Sequence, residues 1–127
     1  MEKKIIYSSG APSSPLYSQG IKAGDLIYLS GFTGLSSETK QLAGETIEEQ
    51  TRQAIRNCES VLKTVGSGLS DVVQVTVLLS SPEDFDAMNK EYVKFFPTNP
   101  PTRMVTKLGV SFPKVKISVA MTAAVRT

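Results

Sequence analysis

The chain has 127 residues, a length that suits one domain with its own core and leaves little room for a second. Hydrophobic residues make up 40% and charged residues 20%, and the net charge of +2 is spread along the chain, so the dense basic stripe of a nucleic-acid binder is missing. There is no histidine and a single cysteine, Cys58, which excludes the commonest acid–base group, a Cys/His zinc cluster and an internal disulfide.

In chain order, residues 3–7, KKIIY, read as a first strand, and SSGAPSSP after them is loop chemistry rich in Gly, Pro and Ser. LYSQGIKAG reads as a second strand turning at Gly24-Asp25, and LIYLSG as a third, ended by Gly31. Residues 46–66, TIEEQTRQAIRNCESVLKTVG, are the clearest helix. Thr46 and Glu49 have capping-box spacing, Ile47, Ala54, Ile55, Cys58, Val61, Leu62 and Val65 recur with helical period, and Gly66 can end it. DVVQVTVLL is a valine-rich strand. SPEDFDAMNKEYVKFFP predicts a second helix with Ser81 as N-cap, Pro82 at its first position and Asp84 in its first turn. Phe85, Met88, Tyr92, Phe95 and Phe96 form its apolar face, and Pro97 stops it. PTRMVTKL is a short strand after a proline turn. KVKISVAMTAAV is a long last strand, apolar at its odd positions from Val115 to Val125.

The order β-β-β-α-β-α-β-β implies a six-stranded mixed sheet, with hairpin pairing early, some parallel pairing late, and two helices over one face. The strand from Val72 to Leu79 is apolar at nearly every position, and a strand apolar on both sides wants cover on both. No third helix is available, so a second subunit is the expected cover. No apolar run has signal-peptide or membrane-spanning length, so an intracellular, cytoplasmic, soluble protein is expected.

Few residues invite chemistry. Arg103 stands between Pro-Pro-Thr and an apolar Met-Val pair, and arginine grips carboxylates through two charge-assisted hydrogen bonds. As a lone arginine it reads first as a surface or packing residue. Tyr17 and Ser30 read as strand-end residues, and Asn89, beside Met88, either satisfies a loop or reaches a cleft. Cys58 reads as core, since a nucleophilic thiol needs a nearby base. The acidic pairs at 48–49 and 83–86 open helices, where dipole and capping roles explain them without a metal. Lys107, Lys114 and Lys116 read as a solvated face.

Taken together, YSQG at 17–20, IYLSG at 27–31, EEQTRQAIRNCESVL at 48–62, DVVQVTVLL at 71–79, DFDAMNKEYVKFF at 84–96 and PPTR at 100–103 resemble the Rid family of reactive intermediate/imine deaminases, also called YjgF or L-PSP endoribonucleases. The resemblance covers essentially all of residues 1–127. It implies an α+β, chorismate-mutase-like fold and a homotrimer, with the open sheet faces packed into a central barrel and clefts between subunits. It further implies that Arg103 holds the carboxylate of a small 2-imino or 2-enamino acid while water releases ammonia and a 2-keto acid, with no cofactor or metal. Tyr17, Ser30 and Asn89 match the family's cleft positions, and Phe32 and Val105 stand where its members commonly carry glutamine and cysteine. Pro15-Leu16 replaces a Gly-Pro. The family glutamate of the last strand has no counterpart, its place falling on Ser118, Val119 or Ala120. The resemblance therefore leaves a second reading, a non-catalytic carboxylate-binding or regulatory trimer, and a third, the older endoribonuclease label, which the absence of histidine and of a basic patch disfavours.

Overall fold

The computed structural model describes residues 2–126. Helix α1 (Ile47–Thr64) forms where the caps and period predict it. The Thr46 hydroxyl accepts from the Glu49 amide at 3.1 Å, and the Glu49 carboxylate accepts from the Thr46 amide at 3.3 Å. After the helix Gly66 takes the left-handed conformation, φ 80°, that a side chain resists. The buried face of α1 carries Ala54, Ile55, Cys58, Val61 and Leu62, all fully buried, each large aliphatic among them contributing about 1.5–3 kcal/mol by leaving water.

The strands are β1 (Lys3–Ile6), β2 (Gly20–Ala23), β3 (Leu26–Leu29), β4 (Phe32–Thr33), β5 (Val72–Leu79), β6 (Thr102–Lys107) and β7 (Ile117–Ala124). The sheet runs β1-β2-β3-β7-β5-β6, with β4 beside β7, and only β5 with β6 is parallel. The expected six strands are present; the seventh, β4, is two residues long and too short to carry a period. On β7 the odd residues Ile117, Val119, Met121 and Ala123 are buried beneath the helices while the even ones face the other way. On β5 Val75, Val77 and Leu79 share that buried face, and Gln74, Thr76 and Leu78 the open one. Tyr28, Met104 and Ile5 follow the open face through the register, with 49%, 60% and 69% of their surface exposed.

The second helix is shorter than expected. Ser81 accepts from the Glu83 amide, but residues Pro82–Asp84 form a 3-10 turn, and helix α2 spans only Phe85–Tyr92. The residues after it continue as turns, in which Phe96 still reaches the core. Met88, Tyr92 and Phe96 pack as expected, whereas Phe85 is 40% exposed and turned toward the sheet edge. No helix among the described residues is long and apolar enough to cross a membrane.

Candidate functional site

Strand β6 is an edge, paired with β5 alone. Asn99 turns the chain into it with φ 47°, a left-handed conformation asparagine tolerates better than most residues. The Thr102 hydroxyl then donates to the Val73 carbonyl at 3.0 Å. Pairing of Val75 with Arg103, Val77 with Val105 and Leu79 with Lys107 puts these three β6 residues on the helix side. There Arg103 meets α2. Its Nη1 donates to Asn89 Oδ1 at 2.7 Å, and its guanidinium carbon lies 4.9 Å from the Tyr92 ring centroid and 5.9 Å from that of Phe85. Residues 85, 89 and 92 share one helical face. Two aromatic faces and one amide oxygen thus hold the cation, each ring adding about 0.5–1 kcal/mol at an exposed site. No carboxylate pairs with Arg103 among the described residues. Burial pushes the Tyr92 phenol above its ordinary pKa, with Arg103 opposing, so it stays neutral and serves as a platform. Beside this group lies a cavity of about 550 Å³ lined in part by Leu79, Phe85 and Val105.

A second group forms on the far side of β7 from β6, around the ends of β2 and β3. Gln19, 3% exposed, organises it: its amide donates to the carbonyls of Ser8, Ala11 and Pro12 at 2.9–3.0 Å, and its Oε1 accepts from the Ser8 amide at 2.6 Å. That clamp fixes the loop leading to Tyr17. The Ser30 hydroxyl donates to the Ser18 carbonyl at 2.6 Å, and the Ser30 amide to the Gln19 carbonyl at 3.0 Å, so Tyr17 and Ser30 belong to one corner. Gly31 completes it by close approach, since a Cβ there would lie 2.9 Å from Ser118 Oγ.

The two groups do not meet within one chain. Strands β7 and β5 separate β3 from β6, a lateral distance of about 14 Å. Of the residues singled out in the sequence, Arg103, Asn89 and Val105 come together, and Tyr17 and Ser30 form the other set. Phe32 joins neither. It pairs with Val119 on β7, is 2% exposed and belongs to the core, because its position on β4 points under α1. Val119 is likewise fully buried, so of the last-strand candidates only Ser118 and Ala120 lie on the open face, Ser118 beside Ser30-Gly31.

Sequence reading placed Tyr92 and Phe85 on the apolar face of the second helix, where Tyr92 does pack, but not as the platform that both also form under Arg103. The available signal was their spacing around Asn89. It also missed Gln19, although YSQG contains it. Cys58 is fully buried, its thiol donating to the Val119 carbonyl at 3.5 Å, and burial pushes its pKa far above the ordinary thiol range. Glu49 caps α1, Lys114 sits 3.7 Å from Glu45, and Lys116 sits 3.9 Å from Asp84. No group of His, Cys, Asp or Glu suited to a metal ion occurs among the described residues.

Residues 8–125 match the Endoribonuclease L-PSP family. The chain is 35% identical over 120 residues to Reactive Intermediate Deaminase A, chloroplastic, of Arabidopsis thaliana, covering 94% of itself and 64% of that longer protein. It is 33% identical over 102 residues to the human 2-iminobutanoate/2-iminopropanoate deaminase, covering 80% of itself and 74% of that protein. Among solved structures, that of E. coli TdcF with bound serine superposes with TM-score 0.89 at 25% identity, covering 98% of this chain and 99% of that one.

Proposed function

The chain belongs to the Endoribonuclease L-PSP family, also called Rid or YjgF, and from that premise we propose that it is a hydrolytic deaminase of reactive 2-imino acids, assembled as a homotrimer. One observation carries the reading: Arg103 is an aligned cation, held by Asn89, Tyr92 and Phe85, without a carboxylate partner among the described residues and next to an open cavity. A planar guanidinium so held can take a ligand carboxylate on its remaining N–H groups. The names of the Arabidopsis and human relatives, and the serine bound to TdcF, agree with an amino-acid-like ligand.

In the proposed reaction Arg103 fixes the carboxylate and so the plane of the adjacent C=N bond. Water adds to the imine carbon, the nitrogen gains the protons that water loses, and the C–N bond breaks to leave ammonia and a 2-keto acid. Orientation alone contributes much to such a step. Tyr17, Ser30 and Ser118 supply hydroxyls from the second group, which reaches Arg103 only if another copy brings it there. That need supports a site between subunits and a trimer with three clefts.

Ser118 and Ala120 provide no carboxylate where the family carries a glutamate, and this favours a second reading, a receptor for carboxylates without turnover. Positioned acid–base help is worth about 10²–10⁴-fold, so its loss slows hydrolysis without forbidding it. The two readings separate in one assay. An amino-acid oxidase generates the 2-imino acid, and semicarbazide traps what survives. The deaminase lowers the trapped amount and Arg103→Ala does not. A wild-type protein that binds 2-keto acids yet leaves the trapped amount unchanged is a receptor.

A further inference from the structure

We infer that the cleft is shaped for 2-imino acids with bulky apolar side chains, of leucine or phenylalanine size, rather than for the shortest ones. This rests on the reading of Arg103 as the carboxylate grip and adds what the rest of the ligand must be. The cavity of about 550 Å³ lies between the turn that opens α2 and strand β6, lined by Leu79, Pro82, Phe85 and Val105 together with Thr106 and Lys107. Cavities of roughly 300–1,000 Å³ hold drug-sized ligands, so a one- or two-carbon side chain leaves most of these walls wet.

Two observations tie the cavity to the grip. Phe85 belongs to both, since its ring lines the cavity and lies 5.9 Å from the Arg103 guanidinium carbon. Val105 follows Arg103 on the same face of β6, about 7 Å along the strand. On this chain's half of the cleft, a ligand anchored by its carboxylate at Arg103 therefore has the apolar wall of Phe85 and Val105 within reach of its side chain. Val105 is the specificity-determining position, with no hydroxyl, thiol or charge to desolvate. Lys107 stands about 13 Å beyond Arg103 on the same face and has no carboxylate partner among the described residues. Its ammonium disfavours a side chain ending in a cation.

Each methylene moved from water onto such walls strengthens binding about fourfold. The test is titration calorimetry of the intact protein with pyruvate, 4-methyl-2-oxopentanoate and phenylpyruvate, stable products of the corresponding imines. The two bulky acids are expected to bind at least tenfold tighter than pyruvate. Val105→Phe, which fills the cavity from β6, is expected to shrink that ratio at least fivefold. Pyruvate binding as tightly as the bulky acids in the wild type overturns the inference while leaving the grip intact. If instead Arg103→Ala binds all three acids as well as wild type does, the grip itself fails. The wild-type ranking needs no variant to fold.

Discussion

Arg103 was legible in the sequence as a charge out of place, and Asn89 and Val105 as its neighbours in a resemblance. What holds Arg103 was not legible, because an aromatic residue on a helix face reads the same whether it faces the core or a guanidinium. Phe85 and Tyr92 were assigned to packing, and only the fold shows that their faces flank the cation. Phe32 went the other way: it was expected in the cleft and is core, since a two-residue strand gives no period from which to read its face. Arg103→Ala is expected to weaken 2-keto acid binding roughly tenfold to a hundredfold, the worth of about 1.5–3 kcal/mol in hydrogen bonds to a charge. Arg103→Lys restores the charge but not the planar fork, so its affinity falls between the two. Cys58 offers a separate check on the core. With its thiol fully buried and its pKa raised by burial, it is expected to resist a thiol reagent in the native protein and to react once denaturant is added. Rapid labelling without denaturant contradicts the packing described.

At the scale of elements, α1 and β7 were the most legible, because each has a long, clean period and α1 has both caps written in the sequence. The end of α2 was less so: apolar residues continue to Phe96 in turns that keep contact with the core without helical hydrogen bonding. Buried polar residues were the least legible. Gln50, fully buried, accepts from the Lys116 amide at 2.8 Å and donates to the Lys114 carbonyl at 2.9 Å, and so aligns β7 from α1. A glutamine on a helix looks solvated until the chain folds back onto it. Thr46→Ala removes the N-cap acceptor of α1 and is expected to cost about 1 kcal/mol, read as a fall of roughly 4 °C in melting temperature. Glu91 links the helices. Burial raises its pKa, but hydrogen bonds from Arg52 at 3.1 Å and Lys94 at 3.0 Å more than offset this and hold it below the ordinary value. A carboxyl with a lowered folded pKa stabilises the fold above its unfolded pKa and loses that contribution as pH falls through the folded one. Glu91→Gln is therefore expected to destabilise by about 1 kcal/mol at pH 7, with the gap to wild type closing below about pH 4. A gap independent of pH argues that the ion pairs contribute nothing.

At the scale of the molecule, the sheet has one face under helices and one open, on which Ile5, Tyr28 and Met104 are exposed beside half-buried Leu78 and Ala120. Cover for that face by copies of the same chain is what the proposed trimer requires, and equilibrium sedimentation is expected to give three chains per particle. The proposed assembly would join the two polar groups, whose strands β3 and β6 stand three spacings, about 14 Å, apart in one chain. The central claim is that they are halves of one imine-hydrolysing cleft, the Arg103 half from one copy and the Tyr17–Ser30 half from another. The most direct measurement is imine hydrolysis by mixed particles, made by refolding Arg103→Ala and Tyr17→Ala chains together. Each variant alone is expected to be inactive. In an equal mixture, about a quarter of the clefts combine two intact halves, so about a quarter of wild-type activity should return. Mixed particles that stay as inactive as their parents, or a Tyr17→Ala protein as active as wild type, would contradict the shared cleft.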